Sequence, residues 1–147
     1  MAADTHQLAW AAGIIDGEGC ISICRKRHAN AWVLRVTVSQ VDPRLPARLK
    51  ELFGGSVSHY NPVKKNHRRV WTWTIQAHAA EAALRAVLPW LFLKKEQAEI
   101  GMASRQFIKK AEGRVGALRS PAFSEAQIDA QEWLRRQLSD LKWRAHV

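Results

Sequence analysis

From Ala11 to Gly19 the chain reads Ala-Ala-Gly-Ile-Ile-Asp-Gly-Glu-Gly, an apolar helix of small residues that runs without a break into two acids set among glycines. The C-terminal end of a helix already carries partial negative charge, so acids placed there usually answer to a positive partner. Glycine flanks let the chain turn sharply and let a bulky group approach the backbone. The stretch therefore reads as a place to hold a metal ion. The plainer alternative is a core helix closed by a glycine cap, with Asp16 and Glu18 merely solvated.

A length of 147 residues suits a single globular core that buries roughly 68–70% of its unfolded surface. The formal charge of +10 and a pI near 10.3 point to a partner rich in phosphates. Seven tryptophans argue against a disordered basic tail. No apolar run approaches a membrane span and the N-terminus lacks the plan of a signal peptide, so an intracellular protein with no membrane partner is expected. Cys20 and Cys24, the only cysteines, would lie about 13 Å apart on a strand and cannot bridge each other. The six histidines lack paired spacing, which disfavours structural zinc.

Hydrophobic periodicity predicts the order helix, hairpin, helix, hairpin, helix, helix. Asp4 or Thr5 caps the first helix, on which Leu8, Ala12 and Ile15 recur at helical spacing. Period-two alternation then runs from Cys20 to His28 and from residue 32 to 41, around a turn at Ala29-Asn30. Pro43 suits the first turn of a helix from Arg44 to Phe53, and Gly54-Gly55 stops it. The second hairpin pairs Ser56–Tyr60 with Arg69–Gln76. An Ala-rich helix covers His78–Leu88, Pro89 interrupts, and a further helix runs from Leu91 to Lys110 with Ile100, Ala103 and Phe107 inward. Residues 1–112 form the core on this reading. Residues 113–147 form a basic linker and a C-terminal helix, opened by a Ser124/Gln127 capping box, whose stripe of Ile128, Leu134, Leu138 and Leu141 favours docking on the core.

The expected fold class is thus α+β, with a four-stranded antiparallel saddle. Its polar face carries Ser22, Cys24, Lys26, His28, Val33, Arg35, Thr37 and Ser39 from the first hairpin and Ser58, Tyr60, Val70 and Thr72 from the second. Arg35 and Lys26 can hydrogen-bond guanine, and Thr37 can touch a thymine methyl. Lys64, Lys65, Arg68 and Arg69 suit backbone phosphates. A strand of about ten residues spans about 33 Å, close to ten base pairs, so one saddle covers about one half-site of double-stranded DNA. The acid-bearing motif occurs once. A second saddle must then come from a second copy, with Leu8, Ala12 and Gly13 on the helix face where the copies meet, and a homodimer predicts a roughly palindromic target.

Residues 12–19 resemble the LAGLIDADG motif, and the order and landmarks from Leu8 to Phe107 are similar to the single-motif, homodimeric LAGLIDADG homing endonucleases, whose core runs αββαββα. The resemblance implies that Glu18 stands where the family places its metal-binding acid, more often an aspartate, with the Gly17 carbonyl beside it. It implies that Asp16 is structural, that Gln40 and Arg44 arrange water around the metals, and that Lys94 borders the scissile phosphate. It also implies cleavage across the minor groove with short 3′ overhangs.

Hydrolysis of a phosphodiester needs an activated water, charge relief on the phosphoryl oxygens and help for the leaving oxygen, all of which two hard cations about 4 Å apart supply. Carboxylates and carbonyls suit Mg²⁺, with Mn²⁺ or Ca²⁺ as stand-ins. One acid per chain is few, so coordination shared between two copies and DNA is implied. The sequence thus suggests a Mg²⁺-dependent, site-specific double-strand endonuclease. An RNA maturase or a non-cleaving DNA-binding regulator on the same scaffold is the alternative.

Overall fold

A computed structural model describes residues 3–25, 32–63, 65–112 and 125–144. Lys26, His28, Lys64, the turn at Ala29-Asn30, the stretch 113–124 with Ser124, and the side chains of Phe107 and Gln127 lie outside the described residues.

Helix α1 (Thr5–Glu18) opens with a reciprocal cap: the Gln7 amide donates to Asp4 Oδ1 at 2.8 Å, and the Asp4 amide to Gln7 Oε1 at 3.1 Å. It ends at Gly19, where a Cβ would stand 2.6 Å from the Ile15 carbonyl oxygen. Strand β1 (Gly19–Arg25) follows with no intervening loop, then β2 (Trp32–Gln40). Helix α2 (Arg44–Phe53) leads through Gly54 and Gly55, at φ +77 and +85, into β3 (Ser56–Tyr60) and β4 (Val70–Gln76). These positive φ values favour glycine, which is why the helix stops there. Helix α3 is Ala77–Val87, a 3₁₀ turn covers Leu88–Trp90, and α4 (Lys95–Glu112) and α5 (Glu125–Arg144) complete the described chain.

The sheet is antiparallel throughout, in the order β1-β2-β4-β3. Period-two alternation decides its faces. Ile21, Ile23, Leu34, Val36, Val38, Trp73 and Ile75 are buried against the helices. Ala11, Ala12 and Ile15 of α1, Leu49 of α2, Leu84 and Val87 of α3, and Ala98 and Met102 of α4 close over them. Each such aliphatic side chain contributes about 1.5–3 kcal/mol relative to exposure. Trp73 is fully buried, and its indole N–H donates to the Gly54 carbonyl at 2.8 Å. Between α3 and α4 the buried Glu81 meets Arg85 at 3.1 Å and Arg105 at 3.5 Å.

Helix α5 packs against α4 and β1, and its Leu134 and Leu138 join the core. The Trp32 amide donates to Gln131 Oε1 at 3.3 Å, and the Arg135 guanidinium sits 5.3 Å from the Trp32 ring centroid. At the other end the Lys142 ammonium donates to Cys20 Sγ at 3.4 Å. Eleven helical residues from Gln131 to Lys142 rise about 16 Å. The strand from Arg25, the cross-strand partner of Trp32, back to Cys20 covers the same length. The helix therefore lies along β1, antiparallel to it.

The expected elements differ from the observed ones chiefly at α4, which begins at Lys95 rather than Leu91. Two backbone amides before it are taken by an acid on α1, so this stretch is held in a bend. Ile100 and Ala103 pack against the core.

Candidate functional site

The tip of α1 is tied to the start of α4 by a reciprocal clamp. Asp16 accepts from the Phe92 amide at Oδ2 (2.8 Å) and from the Lys94 amide at Oδ1 (2.9 Å). In return the Lys94 ammonium donates to the carbonyls of Ile15 (2.8 Å) and Asp16 (2.7 Å). The last carbonyls of a helix lack intrahelical partners, and a cation there also opposes the negative end of the dipole. Asp16 is thus a fastening. Burial pushes the Lys94 ammonium below the ordinary lysine value, and Lys142 adds to this, while Asp16, Cys20 and Glu18 pull it back up.

Glu18, the last residue of α1, is exposed, and among the described residues its carboxylate makes no hydrogen bond or ion pair. Gly17 beside it is also exposed. No group of three or more His, Cys, Asp or Glu able to hold a metal occurs among the described residues. One chain therefore offers a carboxylate and carbonyl oxygens, the donor type that suits a hard cation, but too few of them to enclose it.

Gln40 ends β2 on the helix side of the sheet, opposite Trp71. Its Oε1 accepts from the Val41 amide at 2.9 Å. It shares a cleft of about 460 Å³ with Trp10, Asp42, Arg44, Leu45 and Arg48. Arg44 is engaged within that cleft. Its Nη2 lies 2.6 Å from Asp42 Oδ2 and its Nε bonds both carboxylate oxygens, while its backbone amide donates to Oδ1 at 2.9 Å. The hydrogen bonds from Arg44 hold the Asp42 carboxyl down at about 2 and raise the guanidinium in turn. Asp42, Trp10 and Arg48 were not expected from the sequence. The Asp-Pro-Arg order at the head of α2 is the signal that marks Asp42, because an acid there can accept helix amides.

The opposite sheet face is polar, and the strand register arranges it in rows. Ser22, Arg35 and Gln76 lie side by side, then Cys20, Thr37, Thr74 and Ser56, then Ser39, Thr72 and Ser58. Ser39 and Thr72 share a hydrogen bond of 2.8 Å, and Arg35 Nε is buried with no acceptor. Tyr60 pairs with Val70 at the far end, and the Arg69 Nε donates to Asn61 Oδ1 beyond it, with Lys65 and Arg68 exposed nearby. Cys20, Ser56, Thr74 and Gln76 were missing from the expected face, although continued alternation includes them. Cys24 is half-buried beside Ser22 and both cysteines are free.

Three sequence expectations require correction. Val33 is only 7% exposed, paired with half-buried Cys24 where the sheet is covered, so it is a packing residue rather than an open base contact. Ala12 is fully buried and Leu8 packs against the same core, so both face their own subunit. The open face of α1 instead carries His6, Trp10, Gly13 and Gly17. A Cβ at Gly13 or Gly17 would meet nothing within 4 Å. Phe92 and Leu93, 87% and 68% exposed, stand beside its tip.

No family model matches the sequence, and no curated protein matches it. Solved structures do. The homing endonuclease I-CvuI, in complex with its DNA target in the presence of calcium, superposes with a TM-score of 0.71 at 19% identity, over 94% of this chain and 85% of that one. The archaeal intron-encoded homing endonuclease I-Vdi141I, complexed with DNA, gives 0.71 at 13% identity, over 92% and 84%. The LAGLIDADG meganuclease I-AabMI, bound to uncleaved DNA, gives 0.59 at 18% identity, over 87% of this chain but 43% of that one. The fold is that of the LAGLIDADG homing endonucleases.

Proposed function

On that scaffold we propose that the protein is a site-specific double-strand DNA endonuclease that acts as a homodimer with Mg²⁺. The observation that carries this reading is the tip of α1, where Asp16 is consumed in the clamp and Glu18, two residues on, is left exposed and unbonded. An acid spent on structure next to an acid kept free is what a metal-assisted phosphodiester hydrolase requires. The polar rows of the sheet and the +10 charge supply the binding face.

Two observations support a second copy. Gly13 and Gly17 forgo about 0.5–1 kcal/mol of helix stability each, with no contact in their own chain that requires it. A close neighbour on that face, flanked by Trp10, Phe92 and Leu93, accounts for them. The chain also spans 85% of I-CvuI but 43% of I-AabMI, so two copies match the extent of the longer protein. Pairing through α1 brings two Glu18 carboxylates and two Gly17 carbonyls to one axis, which repairs the shortage of donors in a single chain.

In this reading Glu18, with the Gly17 carbonyl, holds a Mg²⁺ that activates water and steadies the leaving oxygen. Gln40 and Arg44 order water in the neighbouring cleft. Lys94 keeps the acid-bearing tip fixed against α4, and short 3′ overhangs are expected. The test is to select a cleaved sequence from a randomised plasmid library in Mg²⁺, then compare wild-type protein with Glu18→Gln. Loss of cutting by at least a thousandfold with duplex binding retained supports the assignment. Equal cutting by both proteins refutes it, and tight binding with no product from the wild type selects the non-cleaving reading.

A further inference from the structure

Beside the clamp is a pocket of about 430 Å³ lined by Asp16, Gly19, Cys20, Leu93, Lys94, Gln97 and Lys142. It joins the start of β1, the start of α4 and the end of α5. Lys142 reaches it from a helix to which the sequence assigned no site residue, and is set over Cys20, two residues past Glu18. Gln97 is 8% exposed, and its Oε1 is buried there without a donor.

These observations bear on what would occupy the pocket. Two ammonium groups against one carboxylate favour an anion over a bare cation, which would be repelled by both lysines. The orphaned amide oxygen in turn needs a donor, since buried acceptors are almost always satisfied. A phosphate oxygen approaching with a bridging water meets both needs, because water donates to the amide while the anion faces the ammonium groups. Lys94 is tied back onto the α1 carbonyls, which leaves Lys142, whose partner is only a thiol, as the group able to turn toward the anion.

We propose that Lys142 of α5 holds a DNA backbone phosphate beside the cut, so that the C-terminal helix is part of the cleavage site rather than a brace for the core. The placement follows from the match between the 131–142 span of α5 and the length of β1, which fixes the end of the helix at the root of the strand. The inference rests on the nuclease reading above for the identity of the anion.

The experiment compares wild-type protein, Lys142→Gln, Lys142→Arg and, as a control on the outer face of α5, Arg136→Gln, after circular dichroism has shown that all are folded. Binding to a random-sequence duplex is measured from low to moderate salt, which requires no cutting. Lys142→Gln is expected to lower the slope of log K against log salt by about 0.9 per subunit, with Lys142→Arg restoring it and Arg136→Gln leaving it alone. On a cleavable target, single-turnover cutting by Lys142→Gln is expected to fall about tenfold. A methylphosphonate beside the cut should weaken wild-type binding and leave Lys142→Gln unchanged. An unaltered slope for folded Lys142→Gln, or an equal change for Arg136→Gln, overturns the inference. Absence of cutting by the wild type counts against the nuclease reading alone, because the salt slope still decides the phosphate contact.

Discussion

The tip of α1 and the polar face of the sheet treat side chains in opposite ways. At the tip, Asp16 and Lys94 together make four hydrogen bonds between α1 and the approach to α4, all of 2.9 Å or less. On the sheet face, by contrast, contacts are sparse: Ser39 and Thr72 bond each other, and Arg35 keeps a buried Nε with no acceptor. Chemistry tolerates errors of a fraction of an ångström, so the group meant to hold a metal is mounted on a locked element. Recognition must fit a surface whose shape varies with sequence, and rows of loosely tied side chains on a rigid sheet suit that. Removing a group should therefore cost stability at the tip and selectivity on the face.

The largest effect is expected at Asp16. Asp16→Ala removes the acceptor for two backbone amides and leaves the Lys94 ammonium without its carboxylate, a loss of about 2–3 kcal/mol for a half-buried site. Denaturant unfolding would measure it, and cleavage should fall with it because Glu18 is carried on the same turn. Stability within about 0.5 kcal/mol of wild type would mean that the clamp is incidental. Gly13→Ala sharpens the comparison along the helix itself. A Cβ there meets nothing in its own chain, so a monomer gains about 0.5–1 kcal/mol. If copies meet on this face, the same methyl should raise the dimer dissociation constant at least tenfold by sedimentation. A tighter dimer would place the contact elsewhere.

What the sequence reveals divides along the same line. Alternation exposes the sheet: Leu34, Val36 and Val38 alternate with Arg35, Thr37 and Ser39, and solvent on one face imposes a period that neighbours cannot hide. The glycine stop after α2 is legible too, because positive φ restricts the residue type. The start of α4 is not, since it depends on a carboxylate 76 residues earlier accepting the Phe92 amide. Nor is the burial of Ala12, because alanine is equally at home in its own core and against a partner. Lys142 escapes for the same reason as Phe92: its place depends on how a distant helix lies against β1, which no local pattern records.

The smallest change in stability should come from the sheet face, at Arg35. It lies between Ser22 and Gln76 in the first polar row, and its Nε has no acceptor in the free protein. Arg35→Ala therefore removes an unsatisfied donor rather than a bond, and the unfolding free energy should stay within about 0.5 kcal/mol of wild type. A guanidinium that completes its hydrogen bonds on a base edge discriminates that base by about 1–3 kcal/mol. Competition binding against a target series varied one base pair at a time should show lost preference at one position in each half-site, with the others intact. A uniform loss across all positions would instead make Arg35 a phosphate contact, and would move the boundary between the reading rows and the backbone-binding surface inward by one strand pair.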